Sequence, residues 1–184
     1  DNGSIDSTLN ADPLGDITYQ PEKVSGFEAG VKALLNDGSL EVNFDIYDYT
    51  YDDLQLNYFN AATFAYRTLN AEESESRGLE IQVAYLPPLI DGLRLTAAYG
   101  YNDSNYVKFV GPCAGGQKPS EGCNVPDGGL TLQNLNGSKK ALAPENRLNL
   151  GINYNSILRS GLELGFNMNL KASDDYRLSD TIPD

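Results

Sequence analysis

Period-two alternation of apolar and polar residues limits this chain more than any other feature. Between Gly26 and Asn36, Phe27, Ala29, Val31, Ala33 and Leu35 alternate with Glu28, Gly30, Lys32 and Leu34. Leu40, Val42, Phe44 and Ile46 then alternate with Glu41, Asn43, Asp45 and Tyr47. The same pattern recurs at Leu79–Tyr85, Leu93–Tyr101, Leu148–Tyr154 and Leu162–Leu170. Strand side chains repeat every two residues and helical ones about every 3.6, so these segments read as strands with one dry face. No segment keeps a helical period for two turns. The chain is all-β, with about six long strands.

The connections alternate in length. Short links run through Asp37-Gly38, suited to positive φ in a tight hairpin, through Pro87 to Gly92, and through Ser156 to Ser160. The alternate links, Phe59 to Tyr66, Lys108 to Ala143 and Ser173 onward, read as longer loops. With antiparallel neighbours, short turns fall at one end and long loops at the other, as in an outer-membrane barrel. On the apolar face, Tyr85 and Tyr154 lie near the short turns, and Phe27, Tyr99 and Tyr101 near the long loops. Two aromatic rings bracketing an aliphatic band are what a lipid–water boundary selects. Seven to nine residues per strand give a band roughly 23–30 Å tall at about 3.3 Å per residue. The reading is an antiparallel up-and-down transmembrane β-barrel, present as a partial wall, since bacterial barrels have eight or more strands. Residues 1–184 are then a fragment of one barrel domain. A soluble extracellular β-sandwich, which would bury the apolar face within itself, is the alternative architecture.

Charge and composition exclude other classes. The chain carries 13 Lys+Arg against 26 Asp+Glu, a net charge of −13, which argues against a nucleic-acid partner. It has no His, which removes Ser-His-Asp and Cys-His catalysis and imidazole metal sites from this stretch. No apolar run reaches the roughly 20 residues of a transmembrane helix. The serines lie in turns and loops without a base, so no enzymatic activity is expected. Asp52-Asp53, Glu72-Glu73-Ser74-Glu75 and Asp174-Asp175 were weighed as Ca²⁺ ligands but lack EF-hand spacing. They read as solvated loop tips, and neither a metal nor a cofactor is expected.

Several motifs in order resemble a known family. Tyr19-Gln20-Pro21-Glu22 with Glu28-x-Gly30-x-Lys32 is similar to a signature in the C-terminal half of TonB-dependent outer-membrane receptors. Tyr47-Asp48-Tyr49-Thr50-Tyr51-Asp52-Asp53-Leu54-Gln55, Ser76-Arg77-Gly78-Leu79-Glu80-Ile81 and Gly92 to Ser104 resemble later strands of that family. Ala143-Pro144-Glu145-Asn146-Arg147-Leu148-Asn149-Leu150 does too, with Tyr154 after it. The resemblance implies a 22-stranded barrel in the outer membrane of a Gram-negative bacterium, filled by an N-terminal plug. It implies uptake of a scarce nutrient, most commonly a ferric siderophore, with energy from the TonB complex reached through the plug. Its partners would be outer-membrane lipid, the nutrient ligand and that complex. Plug, TonB box and closing strands have no counterpart in these residues. A passive porin or a glycan-binding sandwich are the alternative functions.

Two groups of residues stand out against this background. Cys113 and Cys123 lie ten positions apart in the longest loop, outside the cell on the barrel reading, and are expected to form a disulfide. Closing that ring stabilises by roughly 3 kcal/mol in the chain-entropy account. Tyr47, Tyr49, Tyr51, Tyr58, Phe59 and Tyr66 cluster near a long-loop end. Their flat apolar faces and hydroxyls suit stacking on an aromatic siderophore group or a sugar ring, which makes them substrate-contact candidates. Rim packing is the plainer role for the same rings.

Overall fold

A computed structural model describes residues 4–5, 18–60, 65–127 and 130–181. In chain order the strands are β1 (Ser4–Ile5), β2 (Thr18–Tyr19), β3 (Lys23–Leu35), β4 (Leu40–Asn60), β5 (Ala65–Tyr85), β6 (Leu93–Lys108), β7 (Val110–Pro112), β8 (Cys123–Asp127), β9 (Leu130–Asn134), β10 (Asn146–Ile157) and β11 (Glu163–Ser173). Six of them form one sheet in the order β11-β10-β6-β5-β4-β3. Every neighbouring pair is antiparallel, so the sheet is an up-and-down wall, open at β3 and β11.

Register turns the sequence alternation into continuous rows. Ala33, Val42, Val83, Ala97, Leu150 and Leu170 lie side by side across the whole sheet. The next rows on that face are Val31-Phe44-Ile81-Tyr99-Leu148-Ala172 and Leu35-Leu40-Tyr85-Leu95-Ile152-Met168. No charged side chain enters these rows. The opposite face carries Lys32-Asn43-Gln82-Ala98-Asn149-Lys171 and Gly30-Asp45-Glu80-Gly100-Arg147-Ser173. Nothing among the described residues covers the apolar rows: Val31 is 63% exposed and Met168 52%. A sandwich would have buried them, so the sandwich architecture is set aside.

Two connections depart from the sequence reading. The turn after β3 is not a two-residue hairpin: Leu35 pairs with Leu40, and Asn36, Asp37 and Gly38 all take positive φ in a four-residue loop. The stretch from Phe59 to Tyr66 is not a loop at its ends either. β4 and β5 stay paired out to Asn60 and Ala65, so the hairpin projects well beyond the apolar band. The cause is local sequence, because Leu54-Gln55-Leu56-Asn57 and Thr68-Leu69-Asn70-Ala71 continue the period-two pattern past the acidic residues. Where the hairpin leaves the band, Asp53 sits at φ 57 and its carbonyl accepts from the Asn70 side chain at 2.6 Å.

The long excursion from Phe109 to Pro144 folds into a cap on this projection. β7, β9 and β8 form a three-stranded sheet there. Tyr106, Phe109, Leu135 and Ala71 are buried together, with Leu54, Leu56 and Leu69 against them. Among the described residues, the buried core therefore lies between the cap and the outer ends of β4, β5 and β6, beyond the apolar rows. Cys113 and Cys123 are bonded to each other, with Cα atoms 5.5 Å apart, as their spacing led us to expect.

Candidate functional site

Alternate residues of a strand share a face, so Tyr47, Tyr49 and Tyr51 stand in one line on the polar face of β4. Their neighbours on β5 are small, Gly78, Ser76 and Ser74, and on β3 Gly26 is opposite Tyr49, with Glu28 opposite Tyr47 and Val24 opposite Tyr51. Gly78 has no room for a side chain, because an added Cβ would meet the Tyr47 hydroxyl at 2.5 Å and the Tyr101 carbonyl at 2.2 Å. The rings form a ladder. Tyr47 and Tyr49 are stacked with centroids 5.7 Å apart, and Tyr51 meets Tyr49 edge-on at 6.5 Å.

The hydroxyls of Tyr47 and Tyr49 are tied down. Tyr47 donates to Asn102 Oδ1 at 3.0 Å, and the same oxygen accepts from Ser76. Tyr49 donates to the Glu28 carboxylate at 2.6 Å, which raises the phenol's pKa and keeps it neutral. At the outer end of the ladder the Lys140 ammonium lies 4.6 Å from the Tyr51 ring centroid, a cation–π contact. Lys140 gets there because residues 138–140 run beside β6: Lys140 N–H donates to the Ser104 carbonyl, and Tyr106 N–H to that of Ser138. Burial lowers the Lys140 pKa, and the nearby carboxylates of Asp180 and Glu22 oppose that shift.

Lys140 also borders a cleft of about 590 Å³ between residues 139–145 and 174–179. That volume is within the range of small-ligand sites, roughly 300–1,000 Å³. Lys139 and Glu145 form an ion pair at its wall, which raises the Lys139 pKa.

The six aromatic candidates do not form one cluster. Tyr47, Tyr49 and Tyr51 come together as described. Tyr58 lies seven residues further along β4, roughly 20 Å at strand rise. In the outer hairpin, Tyr58 is opposite Arg67 and Phe59 opposite Tyr66; their side chains fall outside the described residues. Sequence reasoning missed Lys140. The adjacent pair Lys139-Lys140 in a chain this acidic was the available signal, but only the loop path places one of them on the ladder. Among the described residues no group of His, Cys, Asp or Glu is arranged to hold a metal ion.

A long antiparallel wall with one face apolar throughout, one polar, and an elaborated cap at one end defines a sector of a membrane β-barrel. The family model for the TonB dependent receptor-like β-barrel matches residues 2–182, and the chain belongs to that family. Among solved structures, the chain is similar to BauA, the ferric preacinetobactin receptor from Acinetobacter baumannii. The likeness has a TM-score of 0.56 at 17% identity, and covers 96% of this chain and 22% of that one. A match to the FrpB iron transporter from Neisseria meningitidis (F3-3 variant) has a TM-score of 0.45 at 15% identity, covering 80% of this chain and 18% of that one. The chain thus spans about a fifth of the length of either structure. No curated protein matches it.

Proposed function

We propose that these residues form part of the wall and outer mouth of an outer-membrane receptor of a Gram-negative bacterium. The receptor takes up a scarce nutrient, a ferric siderophore foremost, with energy delivered by the TonB complex through a plug contributed by other residues. The chain has a recognition and transport role, not an enzymatic one. The observation that carries the reading is the ladder of Tyr47, Tyr49 and Tyr51 with Lys140. Flat aromatic faces and one half-buried cation are aligned on the polar face of a membrane wall, just outside the apolar band. Family membership and the likeness to a ferric-siderophore receptor support it.

Binding and uptake by the full-length receptor test the proposal. Tyr49→Ala and Tyr51→Ala together are expected to weaken binding of the cognate ferric complex about tenfold, as loss of two ring contacts of roughly 0.5–1.5 kcal/mol each implies. Uptake is expected to stop when the TonB complex is deleted. Unchanged affinity would take the ladder out of the ligand site, and uptake that persists without TonB would favour the passive porin.

A further inference from the structure

The segment after β11 does not leave the molecule but runs back along residues 141–146 as a strap. Asp174 N–H donates to the Asn146 carbonyl at 3.0 Å, and both the backbone and the side-chain nitrogen of Asn146 donate to the Asp174 carboxylate. Further along, Leu142 N–H donates to the Arg177 carbonyl at 2.8 Å. Asp180 then closes the run: its Oδ1 accepts from Ala141 N–H at 2.8 Å, and the buried Tyr106 hydroxyl also donates to its carboxylate. Ala141 is the residue after Lys140, whose own N–H is held by the Ser104 carbonyl of β6, so Asp180 supplies a second anchor for the backbone that presents Lys140 to Tyr51.

The far end of the strap is held by a side-chain amide wired to the disulfide ring. Gln117 lies inside the ring closed by Cys113 and Cys123. It accepts from Ala114 N–H at 2.8 Å, and its Nε2 donates to the Glu121 carbonyl and to Gln133 Oε1, each at 2.9 Å. Gln133 is 3% exposed. With its oxygen engaged by Gln117, its two Nε2 hydrogens go to the Pro112 carbonyl at 2.8 Å and the Thr181 carbonyl at 2.7 Å. Both N–H donors of that amide and its oxygen are then engaged, and a buried amide in this state has one orientation. Gln133 touches neither the Tyr ladder nor Lys140.

We infer that Gln133 is a positioning residue. The Cys113–Cys123 ring sets it through Gln117, it latches the strap at Thr181, and the strap, through Asp180, holds Ala141 and hence Lys140 at the outer end of the Tyr ladder. The latch does not depend on what the receptor transports. Its effect on a ligand rests on the reading of the ladder given above.

The test is amide hydrogen exchange on the full-length receptor in phospholipid nanodiscs, without ligand, so that a wrong ligand assignment leaves the result intact. Gln133→Ala is expected to speed exchange of the Ala141 and Leu142 amides at least tenfold, with the β10 amides from Leu148 to Ile152 unchanged. Cys113→Ser with Cys123→Ser is expected to do the same. Asp180→Asn keeps an acceptor for Ala141 and is expected to preserve protection there, whereas Asp180→Ala is expected to lose it. Should the cysteine variant fail to insert, Gln133→Ala and the Asp180 pair decide the matter alone. Full protection of Ala141 and Leu142 in Gln133→Ala, or equal loss in both Asp180 variants, would overturn the latch.

Discussion

The wall and the cap are both antiparallel sheets and treat their apolar groups in opposite ways. In the wall, Val31, Phe44, Leu150 and Met168 stand on an open face. Where the cap meets the outer end of β6, Phe109 of the cap and Tyr106 of β6 are almost fully buried, at 2% and 1% exposure. The wall has no partner layer among the described residues and its backbone is satisfied by neighbouring strands; in a membrane barrel of the family to which the chain belongs, lipid would cover such an apolar face. The cap buries apolar groups against the outer strands, and a disulfide closes the link between β7 and β8. The lesson is that a period-two pattern reports one dry face and leaves open which solvent keeps it dry.

The contrast can be broken most sharply inside the cap. Phe109→Ala removes a fully buried ring from the cluster with Tyr106, Leu135 and Ala71, a change that costs about 3–5 kcal/mol. Exchange at Leu135, whose N–H bonds the Phe109 carbonyl, should rise accordingly. Exchange across Leu148 to Ile152 should stay put. Equal loss in both places would make cap and wall one cooperative unit.

A charge placed on the wall's apolar face comes next. Leu150→Arg lies in the row between Ala97 and Leu170 and should destabilise the barrel in phospholipid by about 2–4 kcal/mol, read from urea titrations. Asn149→Asp, one residue away and opposite Lys171, adds a charge to the polar face and should change stability by no more than about 0.5 kcal/mol. Similar effects at the two positions would contradict the assignment of faces.

The smallest effect sharpens the picture of the cap's edge. Burial lowers the Lys140 pKa below its ordinary 10.5, so the folded cap binds fewer protons there than the unfolded chain does. Stability therefore rises with pH through the window between the lowered value and 10.5. In Lys140→Met this alkaline rise in the cap's resistance to proteolysis should disappear. A rise that persists in the variant would assign it to another group.

Much of the wall was legible in the sequence because its rows are set by register, and register follows from apolar parity. Leu79–Tyr85 and Leu93–Tyr101 fall on one face of the sheet as read. The cap was not legible for a different reason. β7 has three residues and β8 and β9 five each, too few for alternation to stand above the Gly and Pro around them. Asp52-Asp53 and Glu72-Glu73, read as solvated loop tips, instead mark a local distortion within the strands, beyond which β4 and β5 stay paired to Asn60 and Ala65, close to the expected ends at Phe59 and Tyr66. For the site, parity placed Tyr47, Tyr49 and Tyr51 together. Nothing local to Lys140 could say that a loop more than eighty residues later in the chain returns to Tyr51.

The central claim is that one face of β10 meets lipid and the other a polar interior. Nitroxide labels at successive positions from Arg147 to Tyr154 of the full-length receptor in bilayers test it most directly, by collision with oxygen and with a neutral nickel chelate. Labels at Leu148, Leu150, Ile152 and Tyr154 should be open to oxygen and closed to nickel, with Asn149, Gly151 and Asn153 showing no such lipid signature. A profile without period two, or one in which Leu150 collides freely with nickel, would contradict the account.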